Sequence, residues 1–376
     1  GLGGAVSRDG GRSLWPLDPW RDGELREAGL AQPPAGALLD GRQRPSGAGR
    51  PDGGALGPAG RAEPHGGPRF DIPVPSGGYA WWYVDALSDD GRYGLSIIAF
   101  VGSVFSPYYA WARRRGRPDP LDHCALNVGL YGPGARRWTM TERGRRHVDV
   151  APERFLIGPS ALHWDGSSLT IAIDEIGMPL PVPRRVRGTV RVTPQAITDH
   201  VVTLNPDGAH RWWPVAPLSR VEVDLSEPDL SWNGPGYLDM NQGDAPLAEG
   251  FQSWHWSRAA TVDGAAVLYG GTRCDGSAFD LGWRFDEGGR ATPIQPGPTA
   301  ALPKSGWRIA RETRSDRGRP AVLVETLEDT PFYARSLVKT SLAGESVTAM
   351  HESLSLDRFA NPVVQAMLPF RMPRRS

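Results

Sequence analysis

"GYAWWYVDALSDDGRYGLSIIAFVGSVFSPYYAW", Gly78 to Trp111, is the stretch on which the fold turns. Two runs rich in aromatic and β-branched residues flank Ser88-Asp89-Asp90-Gly91, a hairpin composition, so the segment predicts paired strands. Trp81 and Trp82 are adjacent, and successive side chains of a strand point to opposite faces, so the two cannot line one cavity. The same geometry separates Trp212 from Trp213. One of each pair is free to face a ligand space while its neighbour packs elsewhere. Tyr108, Tyr109 and Trp111 read as further strand residues filling a large β core.

Outward from this hairpin the same texture recurs in "SLTIAID" at 168–174, "VRGTVRVTP" at 186–194, "VEVDL" at 221–225, "AAVLYGG" at 265–271, "AVLVETLED" at 321–329 and "SVTAMHESLSL" at 346–356. Several alternate apolar and polar residues, the period of a half-buried strand, and Asp165-Gly166 and Asp207-Gly208 supply turns between them. Long helical periodicity is scarce, so the fold class is all-β, as barrels or sandwiches. Only the C-terminal "NPVVQAMLPFRMPRRS" predicts a short helix, with Pro362 near its start and Pro369 closing it. Arg371, Arg374 and Arg375 there read first as a solvated tail and second as a contact for an anionic membrane surface. Residues 1–68 are crowded with Gly, Pro, Ala and Arg, too poor in large apolar residues to offset ordering entropy, and predict a disordered segment.

Lys+Arg and Asp+Glu are balanced at 42 each, so net charge gives no argument for a nucleic-acid partner. Cys124 and Cys274 are far apart, which leaves neither a disulfide framework nor a thiolate metal site. No run of eighteen apolar residues predicts a membrane-spanning helix, and no signal peptide is recognisable. The eight histidines include no HxH or HxxxH pair, and no GxGxxG, Walker or GxSxG motif is present. The sequence thus implies no metal and no cofactor, and leaves cofactor-free chemistry or plain binding. Fourteen tryptophans are the compositional outlier. Two short motifs stand beside them: "DGAHRWWP", with His210 and Trp212 two residues apart, and "GPGYLDMNQGD", with Tyr237 and Asp239 two apart. Each pair shares a face if its segment is extended. The Gly-Pro-Gly start makes the second read first as a turn.

"GGYAWWYVDALSDDGRYGLSIIAFVGSVFSPYYAWARRRG", "DHCALNVGLYG", "HRWWPVAPLSRVEVDL" and "WNGPGYLDMNQGDAPL" together resemble the carotenoid 1,2-hydratases, or hydroxyneurosporene synthases, from about Phe70 to near the C-terminus; the first 68 residues take no part. The resemblance implies two tandem lipocalin-like β-barrel modules, taken here as 69–225 and 226–376. It also implies addition of water to the terminal C1=C2 bond of acyclic carotenes such as neurosporene and lycopene, without redox cofactor or metal, in the pigment pathway of photosynthetic purple bacteria. The family's functional positions fall on His210, Trp212, Tyr237 and Asp239. Met240, next to the acid, fits an apolar ligand. Because the substrate dissolves in lipid, the resemblance further implies a peripheral membrane surface as partner, approached from the cytoplasmic side, with other enzymes of the carotenoid pathway nearby.

Such chemistry needs an acid that arrives protonated, because an isolated alkene is a very weak base. Burial raises a carboxyl pKa, which makes Asp239 the expected proton donor to C2, with Tyr237 bonded to its second oxygen. The resulting tertiary C1 cation needs a neighbour that is negative without being nucleophilic, and the Trp212 indole face is the expected one. A desolvated cation–π contact is worth roughly 2 kcal/mol, about thirtyfold in rate. His210 has two expected jobs, as base for the attacking water or as a hydrogen-bond partner tuning Asp239. Competing readings are a non-catalytic isoprenoid carrier, a cofactor-free cyclase or isomerase, and a carbohydrate-binding sandwich.

Overall fold

The computed structural model describes residues 66–177 and 184–375, so the expected disordered segment 1–68 lies outside the described residues except for its last three positions. The decisive stretch forms the expected hairpin: Tyr79–Leu87 and Gly94–Val101 pair antiparallel, with Leu87 opposite Gly94. Nearly every residue of both strands is buried, because this part of the sheet is covered on both faces. Trp82 packs on Phe70 and Phe155 in one core, at ring separations of 5.0 and 5.7 Å, while Trp81 enters the other. Trp212 and Trp213 divide in the same way.

One part of the stretch departs from expectation. Tyr108, Tyr109 and Trp111 lie on the helix Pro107–Arg115, not on a strand. Ser106 caps it by accepting the Tyr109 amide at 3.1 Å, and Pro107 suits the first helical position, where no amide is needed.

Among the described residues thirteen strands build the first sheet. Tyr79–Leu87 lies near its middle, between Gly94–Val101 and Asp229–Gly243; Asp229–Gly243 pairs in turn with the long His210–Glu227 strand. The core on one face draws only on this sheet and the loops attached to it, so the sheet curls round on itself. The buried Arg143–Glu175 pair, 2.9 Å apart, ties strands brought together by that curl. A second sheet of seven strands, with Phe251–Thr261 near its centre, lies against the outer face of the first. The expected all-β architecture of curled antiparallel modules is therefore present.

The expected division at residue 225 runs through the His210–Glu227 strand, and its partner Asp229–Gly243 remains in the first sheet. The strands of the second sheet begin at Phe251. "GPGYLD" misled because glycine and proline also serve close approach inside a sheet. A Cβ on Gly234 would stand 1.7 Å from the Leu87 carbonyl oxygen, and one on Gly236 would stand 2.3 Å from Val221. These residues are small to admit neighbouring strands, not to turn the chain.

Candidate active site

Strand register fixes which side chains meet. Tyr83 lies opposite Asp239, and Asp85 opposite Tyr237; Trp212 lies opposite Asn241, and His210 opposite Gly243. Directly opposed residues project from the same face, and the period of two carries that face along each strand. Tyr79, Trp81, Tyr83, His210, Trp212, Tyr237 and Asp239 therefore all point toward the second sheet. Met240 points the other way, into the first sheet's own core, so its apolar side chain serves that core and not the face that carries Asp239. Beyond Trp213 the register slips, a bulge that ends this regular pairing beside Pro214.

Asp239 is 3% exposed. Its Oδ2 accepts from Tyr237 Oη and from Trp212 Nε1, both at 2.9 Å, while Oδ1 is buried without a partner. Burial pushes the carboxyl pKa up to about 8; the Trp212 and Tyr237 hydrogen bonds pull it down, and the charges of Glu352 and Asp85 push it further up. At pH 7 roughly nine in ten such groups are protonated. With both donors on Oδ2, the proton belongs on Oδ1, the oxygen left free.

His210 is also buried, but its hydrogen bond is with the Tyr79 hydroxyl, 2.9 Å from Nδ1. Among the described residues no hydrogen bond joins it to Asp239, so tuning of the acid by direct contact is not its arrangement. Burial lowers its pKa to about 4, against the opposing pull of Asp207 and Asp244, which leaves the imidazole neutral at pH 7. Its ring lies between two glycines: a Cβ on Gly243 would come within 2.8 Å of Nδ1, and one on Gly250 within 2.5 Å of Nε2.

The second sheet supplies side chains that the sequence reading missed. Trp256 packs 5.3 Å from both the Tyr83 and Tyr237 rings, and Tyr269 packs 5.5 Å from Trp212. Trp254 reaches Trp81 at 6.0 Å and Tyr269 at 5.7 Å. A signal was available: in "SWHWS" the two tryptophans are two apart, which places them on one face of any strand. Buried charges flank this aromatic box. Arg258 Nε donates to Asp85 at 2.8 Å, and Arg335 pairs with Glu328 at 2.6 Å and Glu352 at 2.8 Å. Each charge is buried against an opposite one, the pairing that buried charge requires, while Asp85 Oδ2 is buried without a hydrogen-bond partner. The site is therefore buried, aromatic and acidic.

The family model for carotenoid hydratase CrtC matches residues 97–376. The chain belongs to that family. Among its relatives, an acyclic carotenoid 1,2-hydratase of Thiocapsa roseopersicina is 56% identical, covering 98% of this chain and 91% of the relative. Another of the same name from Rubrivivax gelatinosus is 50% identical, covering 100% of this chain and 93% of the relative. Both alignments extend into the first 68 residues, contrary to the expectation that these stand outside the likeness. A Nitrosomonas europaea protein provisionally assigned as AttH has a similar fold, with a TM-score of 0.51 at 14% identity, covering 74% of this chain and 92% of that one. In the hydratase family member described here, no helix among the described residues is long and apolar enough to cross a membrane.

Proposed function

We propose that the chain is an acyclic carotenoid 1,2-hydratase, adding water across the terminal C1=C2 bond of neurosporene or lycopene to give the 1-hydroxy carotenoid. The observation that carries this reading is the Asp239 carboxyl, buried and uncharged at neutral pH, with two donors on one oxygen and none on the other. The Oδ1 proton passes to C2, the π pair forms the new C–H bond, and a tertiary cation is left at C1. The carboxylate formed at that moment keeps its two donors, so Tyr237 and Trp212 stabilise charge that develops only during reaction. The cation, close to that carboxylate in a low-dielectric site, is further held by the indole and phenol faces of the box that Trp212 shares with Tyr269, Trp254 and Trp256.

Water then attacks C1. An oxygen bonded to a carbocation sheds its proton readily, so a weak base suffices, and neutral His210 is assigned that step. Return of the proton to Asp239 closes the cycle. Every proton in this scheme is carried by the chain's own residues or by water, which is the ground for reading the enzyme as a cofactor-independent hydro-lyase. A lipid-dissolved substrate makes peripheral association with the cytoplasmic face of a membrane, beside other carotenoid enzymes, part of the same proposal.

Incubation with lycopene in deuterium oxide tests it. The product is expected to carry one deuteron at C2 and a hydroxyl at C1; an isomer of unchanged composition would refute hydration. The pH dependence follows from the sign of the Asp239 shift. The protonated acid is the active form, so kcat/KM is expected to be flat through neutrality and to fall tenfold per unit above about pH 8. Activity that rises through that range would contradict an acid role for Asp239.

A further inference from the structure

Behind the C-terminal helices a cleft of about 190 Å³ opens between the two sheets, lined by Phe105, Trp138, Met140, Phe332, Met367 and Leu368. A volume equal to roughly six waters admits the end of a polyene and not its whole length. From the cleft a series of aromatic rings leads inward: Phe105 to Phe100 at 5.7 Å, Phe100 to Trp81 at 6.1 Å, then Trp254, Tyr269 and Trp212, which bonds the acid.

Exposed apolar side chains concentrate at this cleft and along the C-terminal segment that borders it. Of the eight large exposed hydrophobics among the described residues, Trp307 and Met367 line the cleft, and Val363 and Phe370 lie on the same segment as Met367, 69% and 81% exposed. Val363, Met367 and Phe370 are spaced four and three apart, one row along the helix Pro362–Met367 and the turn after it. Gln365 accepts from Trp111 Nε1 at 3.1 Å and Arg114 at 2.8 Å, and Leu368 and Met372 are buried, so the row is pinned outward. Positive charge accompanies it. Arg371, exposed, rests 4.6 Å over the Trp138 ring, and Arg358 bonds the Trp307 carbonyl at 2.8 Å. Asp357 is the one acid in residues 356–376, against four arginines, of which Arg374 is paired with Asp122 and Glu142. Of the acids lining the cleft, Glu328 is paired with Arg335, and Asp329 accepts from the Trp307 amide.

We propose that Val363, Met367, Phe370 and Trp307, with these arginines, dock on the surface of an anionic phospholipid bilayer, and that the cleft is the entrance through which a carotene end leaves the membrane for Asp239. The entrance half rests on the hydratase reading; the docking half does not. An apolar row flanked by arginine is the composition that enters the headgroup boundary, the apolar groups burying and the cations pairing with lipid phosphate.

The test uses the full chain and vesicles of equal parts phosphatidylglycerol and phosphatidylcholine, with lycopene either in the vesicles or in detergent micelles. The double variant Val363→Ser, Phe370→Ser, which leaves the cleft lining intact, is expected to lose at least tenfold in vesicle sedimentation and in kcat/KM from vesicles, while staying near wild type in micelles. Val262→Ser, an equally exposed apolar site elsewhere, is expected to change neither, and added salt is expected to weaken wild-type binding. A double variant that sediments and turns over like wild type would overturn the proposal, as would an equal loss in Val262→Ser. Vesicle binding lost in the double variant, by a protein that hydrates nothing in either medium, would uphold docking and refute the hydratase reading.

Discussion

Asp239→Asn is expected to lower kcat about a thousandfold or more while carotene binding persists. The amide keeps the shape of the carboxyl, and its oxygen still accepts from Tyr237 and Trp212, but it has no proton to give. Among the described residues no second carboxyl accepts from the Tyr237 hydroxyl or the Trp212 indole nitrogen. The same substitution is expected to stabilise the fold. A carboxyl whose folded pKa is about 8 binds its proton more tightly folded than unfolded, so its contribution to stability is lost as pH rises from about 4 to 8. By pH 7 that loss is on the order of 4 kcal/mol, and the Asn variant escapes it. Thermal denaturation of both proteins across this range checks the point: the gap in their stabilities should widen with pH and level off above 8. A variant that is both inactive and less stable at every pH would mean that the carboxyl is structural.

The second large effect is expected from Trp212→Phe. It removes the Nε1 donor to Oδ2 but keeps an aromatic face, so it separates two roles for the indole. A charge-assisted hydrogen bond contributes about 1.5–3 kcal/mol, so a loss of roughly ten- to a hundredfold in kcat is expected. Because that bond lowers the Asp239 pKa, its removal should move the alkaline limb of the pH profile upward. Rate–pH measurements on the purified variant distinguish the cases. A small loss with an unmoved limb would restore Trp212 to the role of a π surface for the cation and weaken its assignment as a donor to the acid.

Much of this was legible in the chain. The hairpin at Gly78–Trp111, the strands of alternating polarity and the opposed faces of Trp81 and Trp82 follow from a period of two, which local sequence carries. The pairing of Trp212, Tyr237 and Asp239 needed more. Each motif gives a shared face, but only strand register sets the indole nitrogen and the phenol on the same carboxylate oxygen. The strand at Gly234 was hidden because its glycines answer to Leu87 and Val221, residues distant in sequence. Trp254, Trp256 and Tyr269 were missed as site residues for a related reason. They belong to another sheet, and no local pattern says which sheet will cover which face. The helix at Pro107 was the opposite case: its Ser-Pro cap was visible, and the aromatic content outweighed it.

The measurement that bears most directly on the central claim is mass spectrometry of carotenoids formed anaerobically in ¹⁸O-labelled water by the wild type and by Asp239→Asn. The expected outcome is a wild-type product heavier than its substrate by one labelled water, and no such product from the variant. Labelled hydroxycarotenoid from Asp239→Asn at the wild-type rate would contradict it, as would a wild-type product with the mass of the starting carotene.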